Sequence, residues 1–262
     1  MNHKKLFLFD IDGTLAVGNN LYKGSRELLE LIEKSGGKSY FITNNSTKSG
    51  MDYVKKFNQS FSLKTTESDF VTSGLMTILF LKKYYANKLI YVLGTSSFIQ
   101  ELRKNDLHIT EHVDSSISCI VVAYDNELNY EKLTVASEVL ETMDVPFYAT
   151  NPDLRCPIDF GFIPDCGAIC KMLEDTTDRA PVYLGKPNKE VVSYCMKESG
   201  FSKEETIVVG DRLYTDIACG INANVDTVLV LTGEAKQEDL FDTEFPPTYT
   251  FDTIYDLYLS LK

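Results

Sequence analysis

The stretch LFLFDIDGTL, Leu6 to Leu15, runs four apolar residues into two carboxylates, Asp10 and Asp12, and then into Gly13 and Thr14. An apolar run of this length reads as a buried strand. Side chains two apart in a strand share a face, so Asp10 and Asp12 can point at one place while Ile11 turns into the core. Two carboxylates held close repel each other unless a cation or a shared proton lies between them. A hard cation such as Mg²⁺ is their natural partner, because it takes oxygen ligands and is held by one or two carboxylates with phosphate and water.

Outward from this strand the chain alternates. SRELLELIEKSGG reads as an amphipathic helix with Ser25 as N-cap and Gly36 and Gly37 at its end. KSYFIT is a strand and KSGMDYVKKF a helix; residues 67–88 read as one longer helical stretch with a break near Gly74. Strand and helix patterns continue through KLIYVLG, SSFIQELRKND, ISCIVVAYD, NYEKLTVASEVLETM, VPFYAT, APVYLG, NKEVVSYCMKESG, ETIVVGD, TDIACGINANV and DTVLVLTG. This is the signature of an α/β protein with parallel sheets covered by helices. Runs such as TIVVG and TVLVL fit strands buried on both faces. The strands outnumber what one mid-sized sheet needs, yet periodicity places no domain boundary.

Ligands of open α/β sheets bind outside the carboxyl ends of the strands. Asp10 and Asp12 follow LFLF, and Thr43, Asn44, Asn45 and Ser46 follow YFI. Lys186 and Pro187 follow VYLG; Asp211 and Arg212 follow IVVG, with Asp216 five residues after Asp211. Acids, a lysine and neutral donors at four strand ends describe a site for a metal and a phosphate group. An EF-hand is excluded, because its sixth and twelfth positions would be Leu15 and Leu21. The GKP at Gly185 lacks the upstream glycine and the hydroxyl of a P-loop.

Bulk properties narrow the function. The 262 residues include 26 Lys and Arg against 38 Asp and Glu, a formal charge of −12. Such a surface repels nucleic acid and anionic membranes. The N-terminal apolar run is too short for a signal peptide, and no stretch nears the roughly 18 apolar residues of a membrane span. Six cysteines without a CxxC pair are expected as free buried thiols in a cytoplasmic protein.

DIDGT, TNNS, GKP and GDRLYTD, in that order, resemble the four motifs of the haloacid dehalogenase-like (HAD) phosphohydrolases. The run from GKPNKEVV to VLTGE, with ATNPD and CGAI, is similar to the NagD-type or 4-nitrophenylphosphatase-type branch. The resemblance spans nearly the whole chain. It implies a Rossmann-like HAD core over residues 1–82 and 180–262, with a C2-type α/β cap inserted at 83–179. It also implies a Mg²⁺-dependent phosphatase of small phosphorylated metabolites that works through an aspartyl-phosphate.

In that resemblance Asp10 is nucleophile and metal ligand. Asp12 is the general acid/base, with its backbone carbonyl on the metal. Thr43 and Asn44 hold the phosphoryl group, Lys186 neutralises charge, and Asp211 ligates Mg²⁺. Asp216 supports the metal site, or is simply an acid at a helix start. Arg212 and Thr215 border the substrate, and the segment around Gly18–Asn20 is a hairpin flap. In the cap, Asn151 and Asp153 are substrate-facing candidates within ATNPDLRCPIDFGFIPDCGAI, against plain turn chemistry for Asn-Pro-Asp. Asp165 before Cys166 departs from the family's Pro-Gly-Cys-Gly, and Arg155 is either an anion contact or a surface residue. The pairs Cys166/Cys170 and His108/His112 lack the further ligands of a zinc site. A phosphotransferase and a catalytically weak phosphometabolite-binding protein stay open as alternatives, and a homodimer through the cap rests on family analogy alone.

Overall fold

The computed structural model describes Met1, residues 3–158 and residues 160–262, which form two compact units. Unit 1 comprises Met1–Thr43, Gly50–Val71 and Lys186–Lys262; unit 2 comprises Asn44–Ser49 and Thr72–Gly185. The insert expected at 83–179 therefore differs in extent from this second unit, which also takes in the preceding helix and the segment through Gly185.

Unit 1 is built on β1 (Leu6–Phe9), β4 (Lys38–Thr43), β5 (Phe70–Thr72), β13 (Thr206–Gly210), β14 (Asp226–Val230) and β15 (Tyr249–Phe251). They form one sheet in the order β15-β14-β13-β1-β4-β5. β1 pairs in parallel with β13 on one side and β4 on the other, so it lies at the point where the strand order reverses. All four residues of β1 are buried, as a central parallel strand requires. The hairpin expected around Gly18–Asn20 forms from β2 (Ala16–Val17) and β3 (Asn20–Leu21), with Asn20 already in the second strand.

Helices α1 (Ser25–Lys34), α2 (Gly50–Ser60), α7 (Glu190–Ser199), α8 (Ala218–Ala223) and α9 (Ile254–Leu261) complete unit 1. Leu28 and Ile32 of α1 and Tyr53 and Phe57 of α2 pack with Phe7, Phe9 and Phe41 of the sheet. The N-cap of α1 is Gly24, not Ser25. Ser25 is the first helical residue, and its hydroxyl donates to the carbonyl of Leu15 at 2.8 Å, so it serves the preceding turn.

The single helix expected over 67–88 is instead a short turn, the strand β5, and a helix α3 (Ser73–Tyr85). Phe70 explains the difference. Its ring lies 5.1 Å from Phe41, 4.9 Å from Phe57 and 5.5 Å from Tyr53, burial that only the sheet edge supplies. Thr72 then caps α3, accepting from the backbone N–H of Leu75.

Unit 2 has a second parallel sheet of β6 (Leu89–Leu93), β7 (His108–Thr110), β8 (Ile117–Val122), β9 (Phe147–Ala149) and β12 (Val182–Tyr183), in the order β12-β9-β8-β6-β7. Its helices are α3, α4 (Ser96–Lys104), α5 (Tyr130–Thr142) and α6 (Cys166–Thr177). The period of two sorts its core. Tyr91, Leu93, Ile120 and Val122 face α5 and α6, while Ile90, Val92, Cys119 and Val121 face α3 and α4. An antiparallel hairpin of β10 (Arg155–Ile158) and β11 (Gly161–Pro164) stands beside this sheet. β7 and this hairpin escaped the sequence reading because neither carries a buried apolar run. All six cysteines are free thiols, five of them buried. Among the described residues no helix is long and apolar enough to cross a membrane.

Candidate active site

The register of unit 1 sets the site. Phe9 of β1 lies opposite Val209 of β13 and Phe41 of β4. The next residues along each strand therefore emerge side by side: Asp10, then Gly210 and Asp211, and Ile42 and Thr43. The backbone N–H of Asp10 still donates to Val209, so Asp10 sits at the sheet's last rung.

Carboxylate oxygens of Asp10, Asp211 and Asp216 all lie within 4.8 Å of one another. Lys186 is 2% exposed and reaches into this group. Its Nζ donates to Asp10 Oδ1 and to Asp216 Oδ1, each at 2.6 Å, and to the carbonyl of Ile42 at 3.2 Å. Asp216 also accepts from the backbone N–H of Arg212. It occupies the π-helical turn Leu213–Ile217, fully buried.

Asp211 is held separately. Its Oδ1 accepts from the Thr14 hydroxyl at 3.2 Å and its Oδ2 from the N–H of Glu234 at 2.7 Å. Two glycines make room for it. Gly13 has φ +96, and a Cβ there would stand 2.6 Å from Asp211 Oδ2; a Cβ at Gly233 would overlap the same oxygen. The Thr232 hydroxyl donates to the carbonyl of Gly13, tying the two glycine-bearing loops together.

Burial dominates the electrostatics here. It pushes Asp10 well above the usual carboxylate range; Lys186 pulls the other way, and Asp216 and Asp211 add repulsion. Asp211 is pushed up to about 7 by burial and by Asp216, against Arg212 and the Glu234 N–H. Burial works against the charge of Lys186, but Asp10 and Asp216 outweigh it and hold the ammonium above its ordinary value. Three carboxylates thus face one ammonium in a nearly dry place. An all-oxygen donor set with unbalanced negative charge fits a hard divalent cation.

Asp12 stands outside the cluster of Asp10, Asp211 and Asp216. β1 ends at Phe9, Gly13 turns the chain, and the Asp12 carboxylate lies 3.5 Å from Lys56 Nζ. The partners of Asp10 are Asp211 and Asp216 from another strand end. Thr43 is buried at the end of β4, and Thr215 is buried in the same turn as Asp216. The Arg212 side chain pairs with Glu234, Nε to Oε2 at 3.1 Å. Glu234, Thr14 and Gly233 went unmarked in the sequence. The strand-end rule applied to DTVLVLTG would have found the last of these and its neighbour Glu234.

Asn44, Asn151 and Asp153 lie in unit 2, all buried. Asp153 Oδ2 accepts from the side-chain amides of Asn44, at 2.7 Å, and Asn151, at 3.0 Å. Arg155 stacks on the exposed ring of Phe162, 4.5 Å from its centroid, and Asp159 of the same segment lies outside the described residues. His108 is in β7 and His112 beyond it, both exposed, so their spacing shares no helical face.

A family model described as haloacid dehalogenase-like hydrolase matches residues 7–108, and one described as HAD-hydrolase-like matches residues 183–257. The chain is 32% identical over 253 residues to an acid sugar phosphatase of Staphylococcus epidermidis, covering 96% of this chain and 95% of that one. Among solved structures, 4-nitrophenylphosphatase from Thermotoga maritima superposes with a TM-score of 0.92 at 34% identity, covering 100% of this chain and 98% of that one. NagD from Escherichia coli K-12 superposes with a TM-score of 0.86 at 30% identity, covering 97% and 98%.

Proposed function

This chain belongs to the haloacid dehalogenase-like hydrolases, in the branch of NagD and 4-nitrophenylphosphatase, and we propose that it is a Mg²⁺-dependent phosphatase of small phosphomonoesters, sugar phosphates among them. The observation that carries this reading is the Asp10 carboxylate. It ends the central strand, is held by Lys186 at 2.6 Å, and shares a cluster with Asp211 and Asp216.

The Asp10 carboxylate attacks phosphorus, forming an aspartyl-phosphate as the bond from phosphorus to the leaving oxygen breaks. Asp12 protonates that oxygen. It then takes a proton from the water that attacks the aspartyl-phosphate, which releases phosphate and restores Asp10. Such proton transfer contributes typically about 10²–10⁴-fold. Lys186 fixes the orientation of Asp10 and balances charge on the phosphoryl oxygens, while Thr43 and Asn44 donate to them. Arg212 and Thr215 border the substrate.

Asp10, Asp211 and the backbone carbonyl of Asp12 would hold Mg²⁺, with Asp216 supporting them through Lys186. When bound, the ion polarises phosphoryl oxygens and offsets the surplus negative charge. Unit 2 takes the part of the family's cap.

The test is a Mg²⁺-dependent hydrolysis screen over phosphate esters with Asp10→Asn as control. Phosphate release by the wild type and none by the variant is expected. No turnover on any ester would sink the phosphatase reading, and transfer of phosphate to an alcohol in place of water would turn it into a phosphotransferase. Turnover surviving in the variant would remove Asp10 as the nucleophile.

A further inference from the structure

Asn44 and Asp153 are 109 residues apart and meet inside unit 2. Asp153 is 2% exposed and Asn151 is fully buried. The Asn151 amide is engaged at both ends. Its nitrogen donates to Asp153 Oδ2 and to Asp165 Oδ1, each at 3.0 Å, and its oxygen accepts from the Thr150 hydroxyl at 2.8 Å. Asp165 in turn caps α6 through the N–H of Cys166. The segment Asn44–Ser49 is held at Asn44 and Ser46. The Ser73 hydroxyl donates to the Asn44 carbonyl at 2.6 Å, and Ser46 Oγ accepts from the N–H of Tyr124 and lies 3.3 Å from Thr150 Oγ1. On the far side of the Asn44 amide, a Cβ at Gly185 would come within 2.6 Å of Asn44 Oδ1. Gly185 thus leaves the room that the amide oxygen takes up, while Asp153 holds the amide nitrogen.

We infer that Asp153 is a positioning residue that aims the Asn44 amide, rather than a group that contacts substrate. The inference rests on the proposed phosphatase reading, in which Asn44 holds the phosphoryl group. A buried carboxylate accepting two amide donors favours one orientation of each, because turning either amide away gives up a hydrogen bond to a buried oxygen. Asn151 and Asp165 serve the same end, since they hold the second donor in place. A phosphoryl clamp set this way acts on the group common to every substrate. Its loss must be felt equally whatever the leaving group.

The test measures kcat and KM of the full chain with Mg²⁺ on 4-nitrophenyl phosphate, a glycerol phosphate and a nucleoside monophosphate, with inhibition by inorganic phosphate. Asp153→Ala is expected to lower kcat/KM by one common factor, roughly ten- to a hundredfold, on all three esters. Phosphate inhibition should weaken in step. Asp153→Asn, which keeps an acceptor oxygen, should recover part of the loss, and Asp153→Ala added to Asn44→Ala should cost little more than Asn44→Ala alone. A loss confined to one leaving group with phosphate inhibition unchanged would overturn the inference and make Asp153 a substrate contact; so would full additivity in the double variant. If Asp153→Ala does not fold, the wild type decides by NMR. The side-chain amide hydrogens of Asn44, assigned by their disappearance in Asn44→Asp, should exchange far more slowly than those of exposed Asn126. Equal exchange overturns the inference. Wild type that turns over no ester would refute the phosphatase reading, while the exchange rates would still decide where the Asn44 amide is held.

Discussion

Asp10, Asp211 and Asp216 in unit 1 and Asp153 and Asp165 in unit 2 are all nearly or fully buried, yet their neighbours differ in kind. In unit 1 the three acids crowd within 4.8 Å of one another around a single ammonium. In unit 2 the two acids are separated by the Asn151 amide, which gives one hydrogen to each. Burial costs a carboxylate several kcal/mol in either place, and the two solutions have different consequences. Amides and backbone N–H groups satisfy lone pairs without adding charge, which makes a rigid scaffold. Crowded acids with too few cations keep a standing demand for positive charge, which suits the cation and phosphate site proposed for them.

The contrast can be broken at several points. Asp10→Asn should remove at least about 10⁴-fold of ester hydrolysis while the protein stays folded, as phosphate release beside a melting curve would show; a modest loss would make the cluster a structural one. Lys186→Met removes the one ammonium from the acids and should destabilise the metal-free chain by about 3–5 kcal/mol at neutral pH. Chemical denaturation should find that cost smaller at pH 5, where protonation relieves the repulsion.

The third expectation concerns pH and the cation. Asp211 is pushed up to about 7, so the native chain keeps a proton that the unfolded chain has lost between about pH 4 and pH 7. Without a cation, this group makes stability fall as pH rises through that window. A divalent ion must displace the proton, so Mg²⁺ should raise the melting temperature more at pH 8 than at pH 5. The gain would correspond to about 2.7 kcal/mol at a hundredfold excess over Kd. A shift that shrinks with rising pH would contradict the placement of the ion on Asp211. The smallest effect is expected in unit 2. Asp165→Asn should cost roughly 1–2 kcal/mol in denaturation and leave the Mg²⁺ shift unchanged, because its neighbours there are donors already present.

Much of this was legible in the chain. LFLF and TIVVG announced buried parallel strands because β strands covered on both faces need continuous apolar runs. Asp10, Thr43 and Asp211 could be picked out because open parallel sheets expose their carboxyl ends, whatever the order of the strands, whereas Lys186 follows β12, a strand of the second sheet. The hairpin around Gly18–Asn20 followed from turn chemistry. Phe70 was misread for a simple reason: FVT has no period of its own over three residues, and only the aromatic cluster with Phe41, Phe57 and Tyr53 makes it a strand.

By itself the sequence determined the longer apolar strands, the residues that follow them, and the family they belong to, since local pattern and motif order carry that information. The tertiary structure alone decided who stands beside whom. Strand alternation offered Asp12 as a companion of Asp10; the register of β1 against β13 adds Asp211 and, through the next turn, Asp216, which no local spacing announced. Asn151 and Asp153 read equally well as a turn or as substrate contacts. The bond between Asp153 and Asn44 joins two distant segments, and no local spacing encodes a contact made across 109 residues.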